Sequence, residues 1–203
     1  MKQLLGVSLL MVACALPLQA QGIEFSGGVN FAKLSGDDIG TAARNTGMKF
    51  GLDFVIPIGP LGLNLGADWS QKGVAQTIQA ASAIVDLSYI ELPLHFRLPI
   101  VSAGPARINL VLGPTVGINT GCDIKIDLAA ATSCADAAQG GFNAKRLDWS
   151  GTGGLGFSFG LGGLVYAGVD LLYTMGFTSV DELASDLKNR AFTLQSHIGF
   201  DVF

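Results

Sequence analysis

After its N-terminal apolar segment, the sequence has no uninterrupted hydrophobic stretch near the ~20 residues that a membrane-spanning helix needs. Yet 49% of its residues are hydrophobic and only 14% are charged. Something other than helices must therefore use that apolarity. Basic residues are also scarce, with Lys+Arg 12 against Asp+Glu 16, so the positive stripe that phosphate backbones require is missing and nucleic acid is excluded as a partner. There are three cysteines, none in a CxxC or Cys/His spacing, which leaves no zinc motif. His95 and His197 are the only histidines, and no Pro/Ser-rich linker divides the chain. No cofactor motif is present.

The N-terminus reads as an export signal. Lys2 precedes an apolar run from Leu4 to Leu18, and Leu18-Gln19-Ala20 precedes Gln21, so residues 1–20 are expected to be a signal peptide and 21–203 one domain. Lipidation at Cys14 is the alternative, but Met11-Val12-Ala13 is a poor approach to a lipidated cysteine. The remaining Cys122 and Cys134 form an even pair in an exported chain, which favours a disulfide. Joined, they close a loop of roughly 13 residues, stabilising by about 3 kcal/mol.

The decisive signal is period-2 alternation, repeated eight times. Phe25, Val29 and Phe31 oppose Glu24, Ser26, Gly28 and Asn30. Met48, Phe50, Leu52 and Phe54 oppose Lys49, Gly51 and Asp53. Leu61 to Trp69 oppose Asn64, Gly66, Asp68 and Lys72, and Ile90 to Leu98 oppose Tyr89, Glu91, His95 and Arg97. Ile108 to Ile118 oppose Arg107, Asn109 and Thr115; Leu147 to Phe159 oppose Asp148, Ser150 and Thr152. Val165 to Met175 oppose Tyr166, Asp170 and Thr174, and Phe192 to Val202 oppose Gln195, His197 and Asp201.

A soluble sandwich also alternates, but its second face would be long-chained and charged. Here that face is rich in Gly, Ser, Thr and Asn with scattered ionisable groups, which suits a narrow barrel interior; the apolar face then suits lipid. Connection lengths agree. Ile58-Gly59-Pro60, the stretch from Val101 to Pro105, and Leu161-Gly162-Gly163 are short turns, whereas residues 35–46, 73–86, 120–145 and 178–188 are longer connections. Aromatics fall into two belts: Phe31, Trp69, Trp149, Tyr173 and Phe192 toward the long connections, and Phe54, Phe96, Phe159 and Phe200 toward the short ones. The expectation is an all-β, eight-stranded, antiparallel up-and-down transmembrane barrel in a bacterial outer membrane, both termini periplasmic.

Five segments, in order, resemble the PorT-type outer-membrane β-barrel family: the stretch from Gly28 to Asp37, Ser70-Gln71-Lys72-Gly73, the stretch from Tyr89 to Leu94, the stretch from Leu112 to Gly117, and Lys188-Asn189-Arg190. The resemblance implies an outer-membrane barrel with no shared catalytic site to carry over. Phe203 stands where such barrels have a terminal aromatic for the barrel-assembly machinery, but out of parity with Phe200 and Val202.

The expected lumen ionic network is Lys49, Asp53, Asp68, Glu91, His95, Arg97, Arg107, Asp148, Asp170 and His197, with Glu24, Lys72 and Asp201 on the same face. Buried charges must pair, so these groups form either an ionic plug or a path for small ions. A His95–Glu91 hydrolytic site lacks a nucleophile motif, and the outward faces look nearly free of ionisable groups, unlike a lipid-modifying barrel. Ser179-Val180-Asp181-Glu182 has capping-box spacing, with Leu183 and Leu187 one turn apart, so a short helix is expected in the fourth long loop. The function expected is a non-enzymatic scaffold or surface-recognition protein acting through its outer loops on an envelope or extracellular partner. A narrow channel is one alternative, and a soluble lipocalin-like ligand-binding barrel is another.

Overall fold

The computed structural model describes residues 22–36, 43–78, 81–126, 132–134, 144–181 and 187–201. Residues 1–20, with the expected signal, and Phe203 lie outside them. Its strands are β1 (Gly22–Ser35), β2 (Ala43–Ile58), β3 (Leu61–Ile78), β4 (Ala81–Ala103), β5 (Ala106–Ile126), β6 (Thr132–Ser133), β7 (Leu147–Gly162), β8 (Val165–Gly176) and β9 (Lys188–Asp201). Every pairing is antiparallel, and the ring closes where β1 pairs with β9 and β4 with β5. The two-residue β6 pairs only with the end of β5, so the barrel itself has eight strands. Closure gives each strand two neighbours and leaves no edge for lipid to desolvate.

Tight turns at one end fix the register. Gly59-Pro60, Gly104-Pro105 and Gly163-Leu164 join β2–β3, β4–β5 and β7–β8, and the first residue of each has φ near +60°, which only glycine adopts freely. The Cα partners Ile58↔Leu61 and Ala103↔Ala106 close directly onto these turns. Gly22 and Asp201 pair at the same end.

The barrel is inverted relative to a soluble one. Phe25, Phe50, Leu112, Leu155, Phe157, Leu171 and Leu194 are exposed on the outside, while Glu24, Asn30, Asp68, Glu91, Asp170 and His197 are buried inside. The lipocalin-like arrangement requires the reverse. Eight residues of β1 separate Ile23, beside Phe54 and Phe200, from Phe31, beside Phe192. That is about 27 Å along a strand and about 20 Å of height at a typical barrel tilt, close to the usual apolar band. A small apolar cluster of Leu34, Val74 and Val180, with Val85 and Leu187 packed on it, lies at the long-loop end.

One of the expected long connections proves to be largely strand, and another begins as strand. β3 and β4 continue through most of residues 73–86, separated only by 79–80, and β5 extends to Ile126. Residues 73–86 carry no sustained polar/apolar alternation, and Val74 and Val85 of this stretch pack in the apolar cluster at the long-loop end. The Cys122–Cys134 disulfide, with a Cα–Cα distance of 5.4 Å, ties β5 to the β6 end. The expected helix near residues 179–187 falls mostly on 182–186, outside the described residues; beside it, Val180 N donates to Leu187 O at 2.7 Å.

Candidate functional site

Among the described residues, the lumen gathers most of the buried ionisable side chains, because the pleat sends every second residue of eight strands inward. Two ionic clusters fill it. Toward the short-turn end, Arg97 donates from both terminal nitrogens to Asp170, at 3.1 and 2.8 Å, and from Nη2 to Glu24 at 3.0 Å. Its side chain is 13% exposed, against 1% for Glu24 and 0% for Asp170. Gln195 Nε2 donates to Asp170 at 3.1 Å, and the Tyr166 hydroxyl donates to Glu24 at 3.2 Å. His197 Nδ1 lies 3.3 Å from Asp170.

Glycines make room for this cluster. A Cβ on Gly199 would fall 2.0 Å from Tyr166 Cζ, and one on Gly168 would fall 2.4 Å from His197 Nε2. Asp53 sits opposite Glu24 in register and packs over Gly66. Glu24, Asp170 and His197 bring three potential metal-ligating atoms within 4.8 Å of one another. Arg97 already holds both carboxylates, so the positive charge such a trio needs comes from the protein itself.

Toward the long-loop end, Lys49 pairs with Asp68 at 2.9 Å and with Glu91 at 3.4 Å, and Lys72 also pairs with Glu91. Lys72 lies 5.6 Å from the Tyr89 ring centroid. Asn189 donates to Asp148 at 2.8 Å and to the Tyr89 hydroxyl at 3.2 Å, while Thr178 donates to Asp148 at 3.1 Å. Between the clusters, His95 bonds Thr115 at 3.1 Å, and Thr115, Thr152 and Thr174 continue the chain around the wall. Asn30 bridges Ser70 and Thr193.

Of the ten residues expected in the network, nine lie in the lumen or its wall. Arg107 does not: it points to the predicted face but is exposed, next to the Gly104-Pro105 turn. Asp201 is exposed for the same reason, at the end of β9. Parity reveals the face of a strand residue but not its height. Glu91 is paired with Lys49 and Lys72, and His95 with the Thr115 hydroxyl, so each of the two is held by other partners. Alternation also underrated Tyr89, Tyr166, Asn30 and Asn189, whose type is common on any polar face. Above the barrel, Asp86 accepts from Lys125 at 2.6 Å and from Asn45 at 2.5 Å. The hydrogen bond, and then the charge, raises the Lys125 pKa above its ordinary value.

The outward face carries more charge than expected at one place. Lys33, Arg44 and Arg190 line an external cavity with Phe31, Tyr173 and Phe192 at the rim of the upper belt.

A sequence profile described as "outer membrane protein beta-barrel domain" matches residues 19–182. The chain belongs to that family. The family is a bacterial outer-membrane one, which places the apolar band in that bilayer. No curated protein matches the chain in sequence. Among solved structures, it resembles OprG of Pseudomonas aeruginosa, with a TM-score of 0.53 and 15% identity over 89% of this chain and 95% of that one. It also resembles Neisserial surface protein A, with a TM-score of 0.52 and 10% identity over 88% and 96%. At such identities the likeness is one of fold, and both span nearly the same length as this family member.

Proposed function

We propose that this protein is a non-enzymatic, non-conducting outer-membrane scaffold that presents its long-loop end to an envelope or extracellular partner. The observation that carries this reading is the bridged lumen: Arg97 of β4 reaches across it to Glu24 of β1 and Asp170 of β8, and Asn189 of β9 reaches Tyr89 of β4, while eight strands leave space mainly for side chains. Short turns face the periplasm in barrels of this kind, so we assign that end, with Gly22 and Asp201, to the periplasm. Residues 1–20 are the export signal in this reading, and the apolar outward row of β9 is what the barrel-assembly machinery reads. The narrower PorT-type resemblance rests on the order of five short motifs, and no secretion role is transferred with it.

The recognition surface is the raised β3–β4–β5 ribbon, stiffened by Cys122–Cys134. Purified barrel in planar bilayers should give no stable single-channel conductance; discrete openings that persist across preparations would replace the scaffold with a channel. An epitope inserted between residues 79 and 80 should be reached by antibody on intact cells. Labelling only after the outer membrane is permeabilised would reverse the assigned orientation.

A further inference from the structure

We propose that the outward face of β1, β2 and β9, just above the upper aromatic belt, binds the phosphorylated headgroup of an outer-leaflet lipid. Its placement in the outer leaflet rests on the orientation assigned above. Lys33 and Arg190 are direct cross-strand partners, each two residues beyond the lipid-facing pair Phe31 and Phe192 and so on the same face. Like charges directly opposite one another destabilise a sheet. Arg44 joins them from β2, with its guanidinium 5.0 Å from the Phe192 ring centroid. None of the three makes an ion pair among the described residues. Arg190 Nε is buried with no hydrogen-bond acceptor, a costly state for a charged donor.

These cations and Phe31, Tyr173 and Phe192 enclose a cavity of about 130 Å³. An external anion relieves the repulsion among the three cations. Guanidinium forks match phosphate oxygens in bidentate geometry, and the three rings below offer an apolar floor for the sugar or upper acyl chain of the same lipid. A phosphorylated glycolipid fits this division: charge above the belt, hydrocarbon beside it. A zwitterionic headgroup would leave its own cation against three others.

The test is lipid retention by barrel refolded in detergent, read by native mass spectrometry with diphosphoryl lipid A as probe. Wild type and Arg107→Gln, which removes a cation at the opposite end, should retain it. The triple variant K33Q/R44Q/R190Q should lose about a hundredfold in affinity, taking about fivefold per cation; the single variant R190Q serves if the triple one does not show heat-modifiable folding. Equal retention by the variants, or equal binding of dephosphorylated lipid A, would overturn the site. Displacement of the lipid by millimolar inorganic phosphate would make it a free-anion site instead and overturn the lipid assignment. Binding in micelles is independent of insertion direction, so an error in orientation shows only in the epitope labelling of intact cells.

Discussion

Removing Arg97 should be the most damaging single change in the lumen. Arg97→Ala deletes three charge-assisted hydrogen bonds and leaves Glu24 and Asp170, 1% and 0% exposed, facing one another without their shared cation. The pair itself contributes little net stability, because desolvating its members roughly offsets their attraction. Breaking it by removing one partner is different, since the charge left behind keeps the whole desolvation penalty, about 3–5 kcal/mol. Protonation of one carboxylate limits the loss toward the lower figure. Urea unfolding of barrel refolded into vesicles, followed by Trp69 and Trp149 fluorescence, measures it. The charge-free triple variant E24Q/R97M/D170N should recover most of the loss, since it leaves no uncompensated ion. A change below about 1 kcal/mol for Arg97→Ala, within the range of surface substitutions, would refute the reasoning. So would a triple variant as unstable as the single one.

Leu155→Arg, in the row Leu155–Leu171–Leu194 midway between the belts, should cost about 2–4 kcal/mol in vesicles; the urea midpoint reads it. Gly168→Ala places a Cβ 2.2 Å from Phe157 O and 2.4 Å from His197 Nε2, and the overpacking should cost about 1–3 kcal/mol by the same measurement. Cys122→Ser should expose the ribbon to protease on the long-loop side while the barrel still migrates as a heat-modifiable band, because the disulfide closes a loop outside the eight-stranded ring; the stability lost should not exceed about 3 kcal/mol.

Most of this architecture was legible because the bilayer imposes two opposite solvents on alternate residues. Phe50 and Leu52 had to face lipid while Lys49 and Asp53 faced a crowded polar lumen, so strand, face and parity came out together, and Gly59-Pro60 and Gly104-Pro105 marked the tight end. Where that contrast fades, so did the signal. The Ala-rich stretch around residues 79–83 hid the continuation of β3 and β4, because its sequence does not alternate polar with apolar residues. The interior was legible as a list but not as a set of pairs: Arg97 finds Asp170 73 positions along the chain, a contact that follows only from ring closure. Height was invisible too, which is why Arg107 and Asp201 fell outside the network. The cations Lys33, Arg44 and Arg190 were hidden in the same way, since each looks like a loop-flanking charge until β1, β2 and β9 stand side by side.

The central claim is that the apolar faces meet lipid and the charged ones meet each other. Fractionation of the expressed protein, with boiled and unboiled samples compared by SDS-PAGE, tests it most directly. Recovery in the outer-membrane fraction with a band whose migration shifts on heating is the predicted result; a soluble protein with no heat-dependent shift would contradict it.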